Sequence, residues 1–167
     1  MVKNIFFFDG YNLIHANPHL QSVLKNNLET ARIQLLESVA NYLGCQPDSQ
    51  GILVFDGPNP APTEDFFSDK LKIYYGKTAD LIIEKLAKNS PAETITLVSS
   101  DRTVYLSLLA KDKTILQIKS FDFWQAVEKM PREYRSPRPS NSLLQGQLQP
   151  NTLEKLNLLR RQNTSGK

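Results

Sequence analysis

Four aspartates in this 167-residue chain stand where stretches of chain change character. Asp9 ends the run Ile5-Phe6-Phe7-Phe8, Asp56 ends Ile52-Leu53-Val54-Phe55, Asp101 follows Leu97-Val98-Ser99-Ser100, and Asp80 opens a helical pattern after Thr78. Carboxylates gathered from separate stretches repel and disturb each other's protonation unless a cation neutralises them. Hard oxygen ligands with room left for water suit Mg²⁺ or Mn²⁺, and such ions activate water against a phosphodiester. The expected ligands of one or two ions are Asp9, Asp80 and Asp101, with Asp56 as a further ligand or an anchor behind them. Asn12, neutral and three residues past Asp9, is expected to donate to a phosphate oxygen or orient a metal-bound water. Lys77 and Arg102 flank two of the acids and are placed to clamp phosphates, and Ser100 is placed to steer ligands or substrate.

Each acid also has a structural use. Asp9-Gly10 and Asp56-Gly57-Pro58 are turn sequences, Asp101 suits a helix cap, and Asp80 complements a helix dipole. Turns and caps do not, however, call for an acid at nearly every strand end on one side. Glu84, four residues after Asp80, adds like-charge repulsion on the same helix face, which Lys88 can screen.

The elements that must position these groups alternate. Strand patterns cover 3–9, 52–56, 70–75, 94–100 and 114–118. Asn26 and Glu29 resemble a capping box opening a helix to Leu43, closed by Gly44. Thr78 can cap a helix with Ala79, Ile82, Ile83, Leu86 and Ala87 on one face, a further helix runs from about 101 to 110, and Ser120 can cap a last one carrying Phe121, Trp124 and Val127. Alternating strands and helices predict an α/β fold of three layers around a mainly parallel five-stranded sheet. The unbroken apolar runs of the first and second strands place them centrally. The mixed third and fifth read as edges, giving the order 3-2-1-4-5. In such sheets ligands bind beyond the carboxyl ends of the strands, where the four aspartates fall.

Two stretches, 57–69 and 131–150, hold seven of the ten prolines and read as loop and linker. Residues 1–130 form the expected domain with net charge −2, while 131–167 carry +5 and read as a flexible basic tail. Leu153, Leu156 and Leu159 beside Arg160 and Arg161 predict a short helix over 152–162. A basic tail on a mildly acidic body suits a polyanion such as RNA. The single cysteine, Cys45, excludes an internal disulfide framework and points to a reducing cytoplasm. No apolar run reaches the length of a membrane span.

Phe8-Asp9-Gly10-Tyr11-Asn12-Leu13-Ile14 resembles the opening motif of the NYN branch of PIN-like nucleases, particularly the YacP-like group. The further segments follow in order: Val54-Phe55-Asp56, Lys77-Thr78-Ala79-Asp80 with Ile83-Glu84, and Ser99-Ser100-Asp101-Arg102. The resemblance covers roughly residues 2–127. It implies a Rossmann-like PIN fold and a metal-dependent endoribonuclease, with some relatives acting on messenger RNA at the ribosome. The chain departs from the pattern at Thr103-Val104-Tyr105, at Ala110-Lys111-Asp112-Lys113 and in the Pro-rich loop after Asp56.

Rival readings remain. A haloacid-dehalogenase-type phosphatase needs a second Asp at position 11, which is Tyr, and a receiver domain needs paired acids after its first strand. A non-catalytic RNA- or ribosome-binding adaptor would gain nothing from a negative pocket. A structure-specific DNA nuclease shares the chemistry and stays open. His15 and His19 lack an acid to complete a zinc site, and Pro18 breaks any helix between them. Phe66-Phe67 is either a base-stacking pair or, as favoured, a plug of the loop onto the core.

Overall fold

The run Ile5-Phe6-Phe7-Phe8 divides its side chains between two cores. Phe6 and Phe8 pack with Leu35, Leu43, Phe55 and Ile73, whereas Ile5 and Phe7 pack with Val54, Ile83, Leu97 and Leu108. A strand presents alternate residues to opposite faces, so an unbroken apolar run belongs in a sheet covered on both sides. In the computed structural model, which describes residues 2–58, 61–109 and 113–134, this run is β1 (Asn4–Asp9), third from one edge of the sheet and fourth from the other.

The chain continues through α1 (Gly10–His15), α2 (Pro18–Asn26), α3 (Leu28–Gly44), β2 (Ser49–Asp56), β3 (Thr63–Ser68), β4 (Leu71–Gly76), α4 (Ala79–Asn89), β5 (Thr94–Val98), α5 (Arg102–Leu109), β6 (Thr114–Ile118) and α6 (Ser120–Lys129). A 3-10 turn follows at Arg132–Tyr134. The sheet order is β3-β4-β2-β1-β5-β6. All neighbours are parallel except the antiparallel β3–β4 pair. Residues of α1, α2, α3 and α6 fill the first core, and residues of α4 and α5 fill the second.

The α/β class and the relative order of the five expected strands agree with the structure, and three details do not. There are six strands. Residues 63–68, within the stretch expected to be a loop, form the antiparallel edge β3. The strand at 70–75 is therefore interior instead of an edge. Two acids hid β3 in the sequence. Glu64 is tied to Lys72 Nζ (2.9 Å) and the Tyr74 hydroxyl, while Asp65 is buried and its Oδ1 accepts from Phe66 N–H (2.8 Å). Charges of this kind are tolerated on an edge strand. The Phe pair splits: Phe67 packs on the core, and Phe66 stays exposed beneath the Lys72 ammonium, 5.0 Å from the ring centroid.

Helix starts move by a residue where a different side chain takes the cap. Asn27, not Asn26, caps α3 by accepting from Thr30 N–H (3.0 Å), so the expected capping box is displaced. Two short helices that the sequence reading did not place, α1 and α2, also appear. Asn17 caps α2 (Leu20 N–H, 3.1 Å) with Pro18 at its first position, where a missing N–H costs nothing. The helix expected over 152–162 lies outside the described residues. No helix among the described residues is long and apolar enough to cross a membrane.

Candidate active site

Register brings the acids to one edge. Phe8 lies opposite both Leu53 and Val98, Leu53 opposite Ile73, and Val98 opposite Ile118. The carboxyl ends of the five parallel strands therefore finish together, and α1, α4, α5 and α6 all start at that rim. Asp9 is the last residue of β1 and the N-cap of α1, its Oδ1 accepting from Asn12 N–H (3.1 Å). Asp101 accepts at Oδ1 from Thr103 N–H (2.7 Å) and Val104 N–H (3.4 Å), closing the start of α5. Asp56, at the end of β2, accepts at Oδ1 from Ala79 N–H (2.8 Å) and so caps α4 from a neighbouring strand. Thr78, expected to cap that helix, makes no side-chain cap bond, because Asp56 already fills the role. Asp80 lies in the first turn of α4.

Three of the four aspartates thus hold a helix start through Oδ1, and each has a second carboxylate oxygen for other work. Helix N-termini carry partial positive charge, which explains how the fold tolerates acids so near one another. It does not remove the strain at Asp9. That side chain is 8 % exposed, and burial pushes its carboxyl up to about 6 against the relief of the Asn12 N–H. The charges of Asp80, Asp56 and Asp101 all push the same way. Asp80 is raised by burial and by the charges of Asp101 and Asp56. The four acids share one electrostatic environment in which every side-chain charge moving Asp9 is negative.

The donor set is hard oxygen throughout, the chemistry that Mg²⁺ or Mn²⁺ takes. Among the described residues, no group of three or more His, Cys, Asp or Glu is placed to hold a metal ion, so Asp9, Asp80 and Asp101 do not meet as one ready-made ligand set. An ion held by one or two carboxylates, with water and substrate phosphate completing its shell, is the ordinary arrangement for Mg²⁺. An open acidic rim fits that arrangement.

Asn12 sits at the junction of three elements. Its Oδ1 accepts from Ser100 N–H (3.0 Å) and from the Ser120 hydroxyl. Any contact with phosphate or water must then come from Nδ2. Ser100 Oγ accepts from Ser120 N–H (3.1 Å), so Ser100 latches α6 to the loop after β5. Ser120, expected as the cap of α6, is instead its first helical residue, buried, with Lys119 in the cap position. Lys77 and Arg102 are exposed beside the acids.

Three contributors were not anticipated. Ser120 ties Asn12 to α6 across 108 residues, a contact without local signal. Arg32, 2 % exposed, lays its guanidinium over the rings of Tyr11, Phe55 and Tyr75 (5.1–5.8 Å to the centroids) and donates to the Tyr11 hydroxyl, bracing the start of α1. Its place four residues before Leu36 on the apolar face of α3 was the available clue. Gly10 lets α1 begin against β2: a Cβ there would strike the Phe55 ring and stand 2.9 Å from the Val54 carbonyl oxygen.

With that geometry in place, comparison with known proteins is specific. The family model of the YacP-like NYN domain matches residues 6–161. The uncharacterized protein YacP of Bacillus subtilis (strain 168) is 26% identical over 153 residues, spanning 84% of this chain and 88% of the relative. The crystal structure of a mutant of Rae1 (YacP) from Bacillus subtilis superposes with a TM-score of 0.60 at 25% identity, covering 93% of this chain and 99% of that one. A second crystal structure of Rae1 (YacP) gives the same TM-score at 24% identity, with 97% of each chain covered.

Proposed function

Because the chain belongs to the YacP-like NYN domain family, a group of nuclease-like hydrolases by fold, we propose that it is a Mg²⁺- or Mn²⁺-dependent endoribonuclease acting on single-stranded RNA. The observation that carries this reading is Asp9: a buried carboxylate whose charged neighbours, Asp80, Asp56 and Asp101, are all acids. A bound divalent cation would relieve that repulsion, and the chemistry it would supply is a more nucleophilic water and compensation of the negative charge on the phosphoryl oxygens.

The chain's own residues supply the rest. Asp9, Asp80 and Asp101 would hold the ion or ions, one or two carboxylates to each with water and substrate phosphate completing the shell, and Asp56 would be a further ligand or an anchor. Their Oδ1 bonds to helix starts fix the orientation of Asp9, Asp56 and Asp101 before substrate arrives. Asn12 Nδ2 donates to a phosphate oxygen or to the attacking water, its amide plane set by Ser100 and Ser120. Lys77 and Arg102 take the flanking phosphates. Water adds to phosphorus as the P–O3′ bond breaks, leaving a 5′-phosphate and a 3′-hydroxyl. The basic stretch 131–167, net +5, contacts RNA, free or on the ribosome.

The test is cleavage of single-stranded RNA with Mg²⁺ or Mn²⁺, comparing wild type with Asp9→Asn and Asp101→Asn. Activity in wild type alone supports the assignment, and equal activity in all three removes it. Competition between RNA and DNA of the same sequence separates a ribonuclease from a DNA nuclease. RNA binding without metal-dependent cleavage marks the adaptor.

A further inference from the structure

The first turn of α6 is fastened to the acidic rim. Ser120 donates its hydroxyl to Asn12 Oδ1 and its N–H to Ser100 Oγ (3.1 Å), and Asn12 donates its own N–H to Asp9 Oδ1 (3.1 Å). From behind, Phe123 and Trp124 are buried, and Trp124 Nε1–H donates to the Leu13 carbonyl (2.9 Å). The residue between these two anchors, Phe121, is 64 % exposed. A scattered surface apolar residue needs no explanation. This one is an aromatic ring on a rigid mount, two hydrogen bonds along the chain of contacts from Asp9.

Its surroundings are charged. Lys119 precedes it, and Arg102 lies two residues past Ser100; both are exposed. Asp122 follows it in the first turn of α6, at the positive end of that helix dipole. An exposed ring with one exposed cation two residues before it in the chain, and another two residues past the Ser100 that Ser120 bonds, is the combination that single-stranded nucleic acid uses, phosphates on the charges and a base on the π-face. A protein contact would call for a contiguous apolar patch instead.

We propose that Phe121 is a base-stacking subsite for single-stranded RNA: one nucleobase lies on its ring while Lys119 and Arg102 take adjacent phosphates, setting the register in which a phosphodiester reaches Asp9. This rests on the endoribonuclease reading for its substrate class, but stacking does not require cleavage. Phe121 is a substrate-positioning residue, and it fixes which linkage is presented.

The experiment uses a set of RNA oligonucleotides with 2-aminopurine moved one position at a time, bound to the full chain in EDTA so that no turnover intervenes. The expected result is quenching at one or two adjacent positions in wild type. Phe121→Leu should lose the quenching and bind roughly tenfold more weakly, the order of one lost base–aromatic stack. Phe121→Trp should restore both. In Mg²⁺, Phe121→Leu should raise KM and blur the cleavage site more than it lowers kcat. Unchanged quenching in Phe121→Leu overturns the proposal, as does absence of RNA binding. A change of oligomeric state in Phe121→Leu with RNA binding intact also overturns it, marking a protein contact. Position-specific quenching without cleavage in any metal leaves the stacking subsite standing and removes the nuclease reading. Cleavage by Phe121→Leu with wild-type KM and site preference does the reverse.

Discussion

Asp56 Oδ1 lies 2.8 Å from the backbone nitrogen of Ala79, so an acid at the end of β2 caps a helix that follows β4. The bond gives Asp56 two functions that substitution can separate. Asp56→Ala removes the acceptor and should cost about 1 kcal/mol, the usual loss for a capping side chain. Asp56→Asn keeps an acceptor and should lie within a few tenths of a kcal/mol of wild type while weakening the response to Mn²⁺. Urea titrations of both variants, with and without Mn²⁺, check this.

Asp9 makes stability depend on pH in a fixed sense. Its folded carboxyl titrates near 6 against 3.8 for the ordinary value, so the folded state binds the proton more tightly. Its contribution to stability is fully present below about pH 3.8 and is lost as pH rises through 6. The loss amounts to about 3 kcal/mol at most. Asp9→Asn retains an acceptor for the Asn12 N–H and carries no charge. In metal-free protein at pH 7 to 8 it should therefore be more stable than wild type, a difference that vanishes near pH 4. Thermal melts across that range measure it. Mn²⁺ should stabilise wild type and leave Asp9→Asn nearly unmoved.

This conflict between folding and charge was only half legible in the sequence. That the run Ile5–Phe8 would be central, and that Asp9, Asp56, Asp80 and Asp101 would reach one rim, follows from apolar runs and from strand–helix alternation. Both are local patterns. What Asp56 and Ser120 do is not local: one caps a helix 23 residues on, the other meets Asn12 across 108. Single-chain spacing carries no trace of either. β3 was missed for a related reason. Glu64 is met by Lys72 and Tyr74, partners that stand beside it only once the hairpin has formed, and Asp65 is buried with Oδ1 accepting from the next residue's amide.

Asn12 and Ser120 should behave as a coupled pair. Asn12→Ala leaves the Ser100 N–H and the Ser120 hydroxyl without their acceptor and should cost roughly 1–3 kcal/mol. Ser120→Ala should cost less, because Ser100 keeps its bond to Asn12. A double-mutant cycle should show non-additivity of at least about 0.5 kcal/mol. Both single variants should also slow RNA cleavage: Asn12→Ala removes the amide itself, and Ser120→Ala removes one of the two bonds that set its plane.

Lys77 and Arg102 are exposed, so Lys77→Ala and Arg102→Ala should leave folding within about 0.5 kcal/mol of wild type. Each should weaken RNA binding and lower the slope of log Kd against log salt by about 0.7, the value for one single-strand phosphate contact. Filter binding across a salt series reads both. An unchanged slope would mean that the side chain faces no phosphate.

Binding of a divalent ion at the acidic rim is measured directly by a crystal soaked in Mn²⁺. Anomalous density should appear beside Asp9, within coordination distance of its carboxylate and of at least one of Asp80, Asp101 and Asp56, and should be lost in Asp9→Asn crystals. A rim without anomalous density at saturating Mn²⁺, with Asp9 still buried among its acidic neighbours, would contradict the account.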